Sequence, residues 1–520
     1  MKCIFKGSHL FDFAERYRDY QCDYEAEDRG FCIFHLDKNS PAEGASQLDI
    51  KRSLGLKKRC EDAFAELLEG LSNDPQVTKC DFRGFQLPSL TISRTICKPI
   101  DFRDAQLDFV SLDGAEFEGS IDFSMSKFRD MASFACTFRE PVDFSNAEFS
   151  YPPFFVGANF LNSATFWGTK LKAPWFKNAN FSSADFFLAE IEGKAVFDEA
   201  TFSSLAHFAH TKFNGDASFS KTIFKSASSF SSSVFAGLAD FRETRFGPVS
   251  DFSNATFLKR ARFYQSKFKD VSFTRLDLGK QSDVVFEGVT LSNVSFIDTN
   301  LEQMSFRDVD WHRITRLGFL KRARPSLWDE FRPLTNQDRD FERIAENYSQ
   351  LVLIYEGKRD FETAEAFHIG EMEMRRKKKG AGISSPLGSK LRRCLNTYAI
   401  YRASSNYGTA YGQASLILVL LLLCFSLAFL YSGFQTTDGP PRTIEYNVLP
   451  DSSHHAVSPK QWLDDYAAAV SLCLTVVTFQ KDRFYQPMEG PARGWLFLAV
   501  IALTGQTAMT LLALRRRFRP

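Results

Sequence analysis

Residues 197–241 read FDEATFSSLAHFAHTKFNGDASFSKTIFKSASSFSSSVFAGLADF, and the spacing of their phenylalanines decides the fold. Phe197, Phe202, Phe208, Phe213, Phe219, Phe224, Phe230, Phe235 and Phe241 follow one another in alternate steps of five and six residues. The beat continues through Phe246, Phe252, Phe257, Phe263 and Phe268, and a looser version runs from Phe117 to Phe273. An amphipathic helix repeats at about 3.6 residues and a half-buried strand at about 2, so neither produces it. A fixed self-similarity of this kind marks a stacked solenoid whose units bury their large residue against their neighbours.

Working outward, the local unit is Ala-x-Phe, as in Ala147-Glu148-Phe149, Ala158-Asn159-Phe160, Ala184-Asp185-Phe186 and Ala239-Asp240-Phe241. Residues two apart on an extended backbone share a side, so the alanine and the phenylalanine both point inward. The intervening Asp, Asn, Thr, Ser and Lys are expected in solvent. Leu171 and Ile191 take phenylalanine positions, as a core that selects on size permits.

These units resemble pentapeptide repeats, in the variant with an inserted sixth residue, over residues 81–310. The resemblance implies a right-handed quadrilateral β-helix with about four units per coil. Roughly forty units then make roughly ten coils, and about 4.8 Å per strand gives a rod near 50 Å long. Both ends of such a rod are open sheet edges and need caps. The segment to Leu71, with a short amphipathic helix at Cys60–Leu71, and the helical region after Trp311 are the expected caps. Some proteins of this family mimic DNA, which requires a strongly acidic face. The repeats show no strongly acidic run, and Lys259-Arg260-Ala261-Arg262 is basic, so no nucleic-acid role is expected. The rod reads as a spacer and as a docking surface for a protein partner.

A chain of 520 residues with 64 basic and 63 acidic side chains holds several domains and has no global affinity for either sign of charge. Residues 1–75 form an N-terminal cap, 81–310 the β-helix, 311–379 a helical connector, 380–413 a basic juxtamembrane linker and 414–520 a membrane domain. In the cap, Cys3, Cys22, Cys32 and His35, with His9 as a competing ligand, make either a three-thiolate, one-imidazole set suited to a structural zinc, Cys32 and His35 being spaced to reach one ion from a turn, or simply packed side chains of a small cap. The opening Met1–Lys6 lacks an apolar stretch of signal-peptide length, so thiols in a reducing cytoplasm are expected.

In the connector, Ile344, Tyr348, Leu351 and Tyr355 lie at helical spacing, as do Phe361, Ala364, His368 and Met372, which predicts a helical hairpin. Ala414–Gly433 and Gly494–Leu514 are uncharged stretches of spanning length. Basic residues before the first and Arg515-Arg516-Arg517 after the second place both termini in the cytoplasm of a bacterial inner membrane. Between them Tyr466–Phe479 is apolar but too short to cross, the length of a re-entrant helix.

Span, short apolar helix, loop, span: this order is similar to the pore domain of two-span potassium-type channels. The similarity implies a pore-lining role for Thr475, Val476, Val477, Thr478, Phe479 and Gln480, and a homo-oligomer, by resemblance a tetramer. The glycine-bearing filter of that family is missing, because Gln480-Lys481-Asp482-Arg483 follows Phe479 and the next glycine is Gly490. The sequence therefore offers two functions, an ion channel with a cytoplasmic sensor rod or a membrane-anchored scaffold with a non-conducting pore domain. It shows no nucleophile–base pair, phosphate loop or catalytic carboxylate pair, and no enzymatic activity is expected.

Overall fold

The computed structural model describes residues 47–315, 323–332, 339–380, 396–437, 442–446, 458–478, 480 and 484–518. The chain divides into two compact units, Met1–Gln337 and Asp338–Pro520.

The first unit is a parallel β-solenoid. Its longest sheet follows eleven strands, one per coil, from Cys80–Asp81 to Val294–Ser295. Thr201 and Phe202 pair in register with Ile223 and Phe224, so one coil takes 22 residues there. Two steps of five and two of six close that coil, which explains the alternating spacing of the phenylalanines.

Each step ends in one of four stacked columns. Phe186, Phe208 and Phe230 form one column, with ring centroids 4.8 and 4.9 Å apart. Phe197 and Phe219 stack at 4.8 Å, Phe181 and Phe202 at 4.8 Å, and Phe213 and Phe235 at 4.8 Å in the others. Across the interior, rings of opposed columns meet edge to face, as Phe208 meets Phe219 at 5.5 Å and 87°. Leu171 and Ile191 continue a column through the gap between Phe149 and Phe213, and both are buried.

The two kinds of step correspond to two kinds of corner. After the column of Phe102, Phe123, Phe144 and their successors, the second residue on has a left-handed backbone, as in Asp104, Met125, Asn146, Leu188 and His210. The phenylalanine carbonyl then accepts from the third residue on, for example from the Thr211 amide to Phe208 O at 3.2 Å. That is the geometry of a turn with positive φ at its third position. The six-residue steps carry the extra residue elsewhere.

Serine and threonine also occupy the inward-facing small-residue position. Ser126, Thr169, Thr211, Thr222, Thr244 and Ser266 are buried. Their hydroxyls donate to a phenylalanine carbonyl, as Thr211 Oγ1 does to Phe186 O at 2.7 Å. A hydroxyl can replace the alanine methyl because a backbone acceptor lies within reach.

Helix α1 (Gln47–Asn73) caps the N-terminal end and starts well before the expected Cys60. Phe64 meets Phe82 edge to face at 5.0 Å, and Cys60 and Leu68 are buried beside it. At the other end the cap is not the helical region that the sequence suggests. Two antiparallel strands, His312–Thr315 and Ala323–Ser326, and a short turn at Trp328–Glu330 close the solenoid. Trp311 covers Phe306 at 5.2 Å, and the Asp329 carboxylate accepts from the Phe296 amide at 3.1 Å.

In the second unit, helices α2 (Phe341–Gly357) and α3 (Phe361–Gly380) form the expected hairpin. Tyr348 and Tyr355 pack on Phe367 at 6.0 and 5.4 Å. The buried stripe of α3 is Ala364, Phe367 and Met374, while His368 and Met372 are only partly covered. Cys3, Cys22, Cys32 and His35, the expected zinc set, lie outside the described residues, as do residues 381–395 of the basic linker.

Candidate functional site

The candidate site is built from four helices of the second unit: α4 (Thr397–Ser405), α5 (Tyr411–Ser432), α6 (Pro459–Val477) and α7 (Pro491–Arg517). Helices α5 and α7 are long and apolar enough to cross a membrane, with mean hydropathies of 2.7 and 1.9 over their most apolar windows. Leu416, Val419, Leu420, Phe497, Leu498 and Ile501 are exposed on them, a surface that suits lipid better than water.

Helix α6 starts seven residues before its apolar window, with Pro459 in the first turn and the Ser458 hydroxyl accepting from the Gln461 amide at 3.2 Å. It packs against both long helices. Ala469, Leu472, Cys473 and Val476 of α6 share one core with Phe429 and Leu430 of α5 and Ala499 and Leu503 of α7. A small antiparallel sheet that the sequence does not announce locks the same end. Phe434–Thr436, directly after α5, pairs with Thr443–Ile444 on one side and with Tyr485–Pro487, just before α7, on the other. Asp465 of α6 is buried and held by the Arg442 guanidinium at 2.9 Å and by the Tyr446 hydroxyl at 2.8 Å.

The expected pore residues occupy the end of α6 and the chain just beyond it. Thr475 and Val476 are buried, Val477 is half-buried, and Thr478 and Gln480 are exposed. Phe479 lies outside the described residues, as do Lys481, Asp482 and Arg483. The Thr475 and Thr478 hydroxyls donate to Leu472 O and Leu474 O of their own helix at 2.7 and 2.8 Å. Thr507 and Thr510 of α7 do the same toward Leu503 O and Gln506 O, at 2.7 and 2.8 Å.

A second constellation lies at the other end of α5 and α7, and the sequence marks only its Gln506, a polar residue in an apolar run that is expected on a protein or water-lined face. Gln506 is buried, and its Nε2 donates to Ser404 O at 3.0 Å and Ala414 O at 2.9 Å, joining α7 to α4 and α5. Between α4 and α5, Asn406, Tyr407 and Gly408 are three successive left-handed residues with φ of 47°, 63° and 73°. Gly408 is needed, since a Cβ there would lie 2.7 Å from the Tyr401 hydroxyl and 2.8 Å from Leu512. Tyr407 is fully buried; its hydroxyl donates to the Glu373 carboxylate of α3 at 2.9 Å, and its carbonyl accepts from Arg516 Nη1 at 3.0 Å. Arg376 completes the carboxylate at 2.9 Å. Burial and the Glu373 carboxylate push the Tyr407 phenol well above its ordinary range. The hairpin is thus tied through one buried phenol to the basic end of α7.

The family described as Pentapeptide repeats (9 copies) matches residues 175–223, 219–267 and 230–277. The coils are pentapeptide repeats. None of the curated proteins compared matches the chain. The pentapeptide solenoid and two helices able to span a membrane are therefore the two parts on which function must be built.

Proposed function

We propose that this is a bacterial inner-membrane ion-channel-like protein with both termini in the cytoplasm. Four copies assemble their α5–α6–α7 modules around a pore, α6 acts as the re-entrant helix, and the pentapeptide rod is a cytoplasmic docking or sensing domain. The observation that carries this reading is the shared core in which α6 packs against both long helices. A short helix wedged between two spans is how proteins bring non-helical backbone to membrane depth, where it must be enclosed by protein or line water. The Tyr407 node supports the regulatory half of the reading, because it gives the α2–α3 hairpin a direct hold on the cytoplasmic ends of the spans.

The test is ion flux from liposomes holding full-length protein, beside the same protein carrying Thr478→Val or Gln480→Ala. Flux that these substitutions alter supports the pore. Well-folded oligomers that pass no ion under varied voltage and salt overturn it.

A membrane-anchored scaffold with a non-conducting pore domain is the second reading, and the polar side chains favour it. The hydroxyls of Thr475, Thr478, Thr507 and Thr510 bond within their own helices, and Gln506 is consumed in joining helices. Such residues act as internal staples rather than as a lining for ions. In this reading the missing flux is accompanied by capture of a protein partner on the rod.

A further inference from the structure

Two ladders of the solenoid handle charge in opposite ways. On one, Lys127, Glu148, Lys170, Glu190 and Lys212 follow one another from coil to coil, alternating in sign. On another, Thr137, Asn159, Asn180, Thr201 and Ile223 lead to Arg245 and then Lys267, two cations on adjacent rungs. Like charges on neighbouring rungs repel, and the five rungs just before them on this ladder are neutral. Both cations are exposed, and neither makes an ion pair among the described residues. They open onto a polar hollow of about 600 Å³, also lined by Glu243, Gln265, Gly288 and Thr290. Around it the charge balance of the rod inverts. Residues 81–200 carry seventeen acidic and eleven basic side chains, whereas residues 212–280 carry six acidic and twelve basic.

We infer that the Arg245–Lys267 hollow is a binding site for a phosphate-bearing anion. A guanidinium presents a planar fork and an ammonium a point charge, together a set for phosphate oxygens, with the Gln265 amide and the Thr290 hydroxyl as neutral donors. The anion removes the repulsion between the two rungs, which gives it a favourable term that a single exposed cation lacks. Glu243 lines the same hollow and opposes the anion, so it limits affinity and favours ligands of higher negative charge. The phosphate belongs either to a soluble molecule or to the headgroup of an anionic lipid.

The experiment uses the full-length protein in detergent and in nanodiscs. Pyrophosphate is titrated calorimetrically in detergent, and hydrogen exchange of residues 242–247 and 264–268 is compared in nanodiscs of phosphatidylcholine with and without phosphatidylglycerol. Saturable pyrophosphate binding, weakened about tenfold by Arg245→Thr or Lys267→Thr and by raised salt, identifies a soluble ligand. Protection of those segments only in the anionic nanodiscs, lost in the same variants, identifies the lipid. Glu243→Gln tightens binding in either case. Threonine already occupies this ladder at Thr137 and Thr201, so the variants keep the coil, which circular dichroism checks. Folded protein that shows neither binding nor protection, or binding that both threonine variants retain, overturns the site. Ion flux is not a readout here, so the result stands apart from that of the pore.

Discussion

The solenoid and the helical unit solve the same problem, burial of a core, by opposite means. In the solenoid every coil repeats the last, so each phenylalanine meets copies of itself above and below. Phe208 has Phe186 and Phe230 stacked on it and Phe197 and Phe219 at right angles. In the helical unit nothing repeats. Its core is joined by single buried polar groups, Asp465, Gln506 and Glu373, each with its own partners. Order by repetition spreads stability over many equal contacts, whereas order by buried polar groups concentrates it in a few.

The strongest challenge to that contrast is a hole in the repeat. Phe208→Ala is expected to cost about 3–5 kcal/mol of solenoid stability, read from denaturant unfolding. Phe208→Leu should recover most of it, as Leu171 and Ile191 already stand in a column. A full cost for leucine would mean that ring stacking, rather than filled volume, holds the rod. In the helical unit, Tyr407→Phe leaves the Glu373 carboxylate short of a donor and should cost about 1–3 kcal/mol. Hydrogen exchange would then rise in α4 and the end of α7 while the solenoid stays unchanged. An equal loss of protection in both units would break the distinction.

Acidity separates the two ends of the rod. Burial opposes ionisation of Asp101, but hydrogen bonds from Arg103 and Lys79 outweigh it and hold the carboxyl below the usual range. Its contribution is complete above the unfolded-state value of about 3.9 and is lost as pH falls through the lower folded value. At the opposite cap burial dominates and raises Asp329, despite hydrogen bonds from Ser295 and Phe296. Between the unfolded and the raised folded value the native state binds more protons, so this cap gains stability as pH falls through that window. Melting temperatures of Asp101→Asn and Asp329→Asn against pH should therefore diverge in opposite directions from the parent. Parallel curves would show that the carboxylates do not set the acid response. The smallest effect is expected at a corner. Leu188 holds φ of 59°, and Leu188→Asn should raise stability by up to about 1 kcal/mol, since asparagine tolerates that backbone.

The same contrast explains what the sequence displays and what it hides. The solenoid is legible because one contact is written many times, so the unbroken spacing of Phe197 to Phe268 carries the fold, and Leu171 and Ile191 in the looser stretch before it do not obscure it. The buried Thr211 and Thr222 are not legible, since their acceptors are carbonyls one coil away that no local pattern displays. The C-terminal cap reads as helical because Trp311 ends the beat, while the pairing of His312–Thr315 with Ala323–Ser326 has no periodic mark. In the membrane module length and apolarity mark α5 and α7. Gln506 stands out as a polar residue in an apolar run, but neither it nor Tyr407 announces its partner, which lies 92 or 34 residues away in the chain.

Register between coils has a consequence for the length of the rod. A phenylalanine must land on the phenylalanine beneath it in all four columns at once. A segment inserted or removed keeps that match only if it is a whole coil, such as the 22 residues that separate Phe202 from Phe224. Changes of five or eleven residues rotate every later column onto the wrong corner. The rod is therefore a ruler graduated in coils, and duplication or excision of one coil sets the reach of whatever it carries in steps of a single strand spacing, about 4.8 Å.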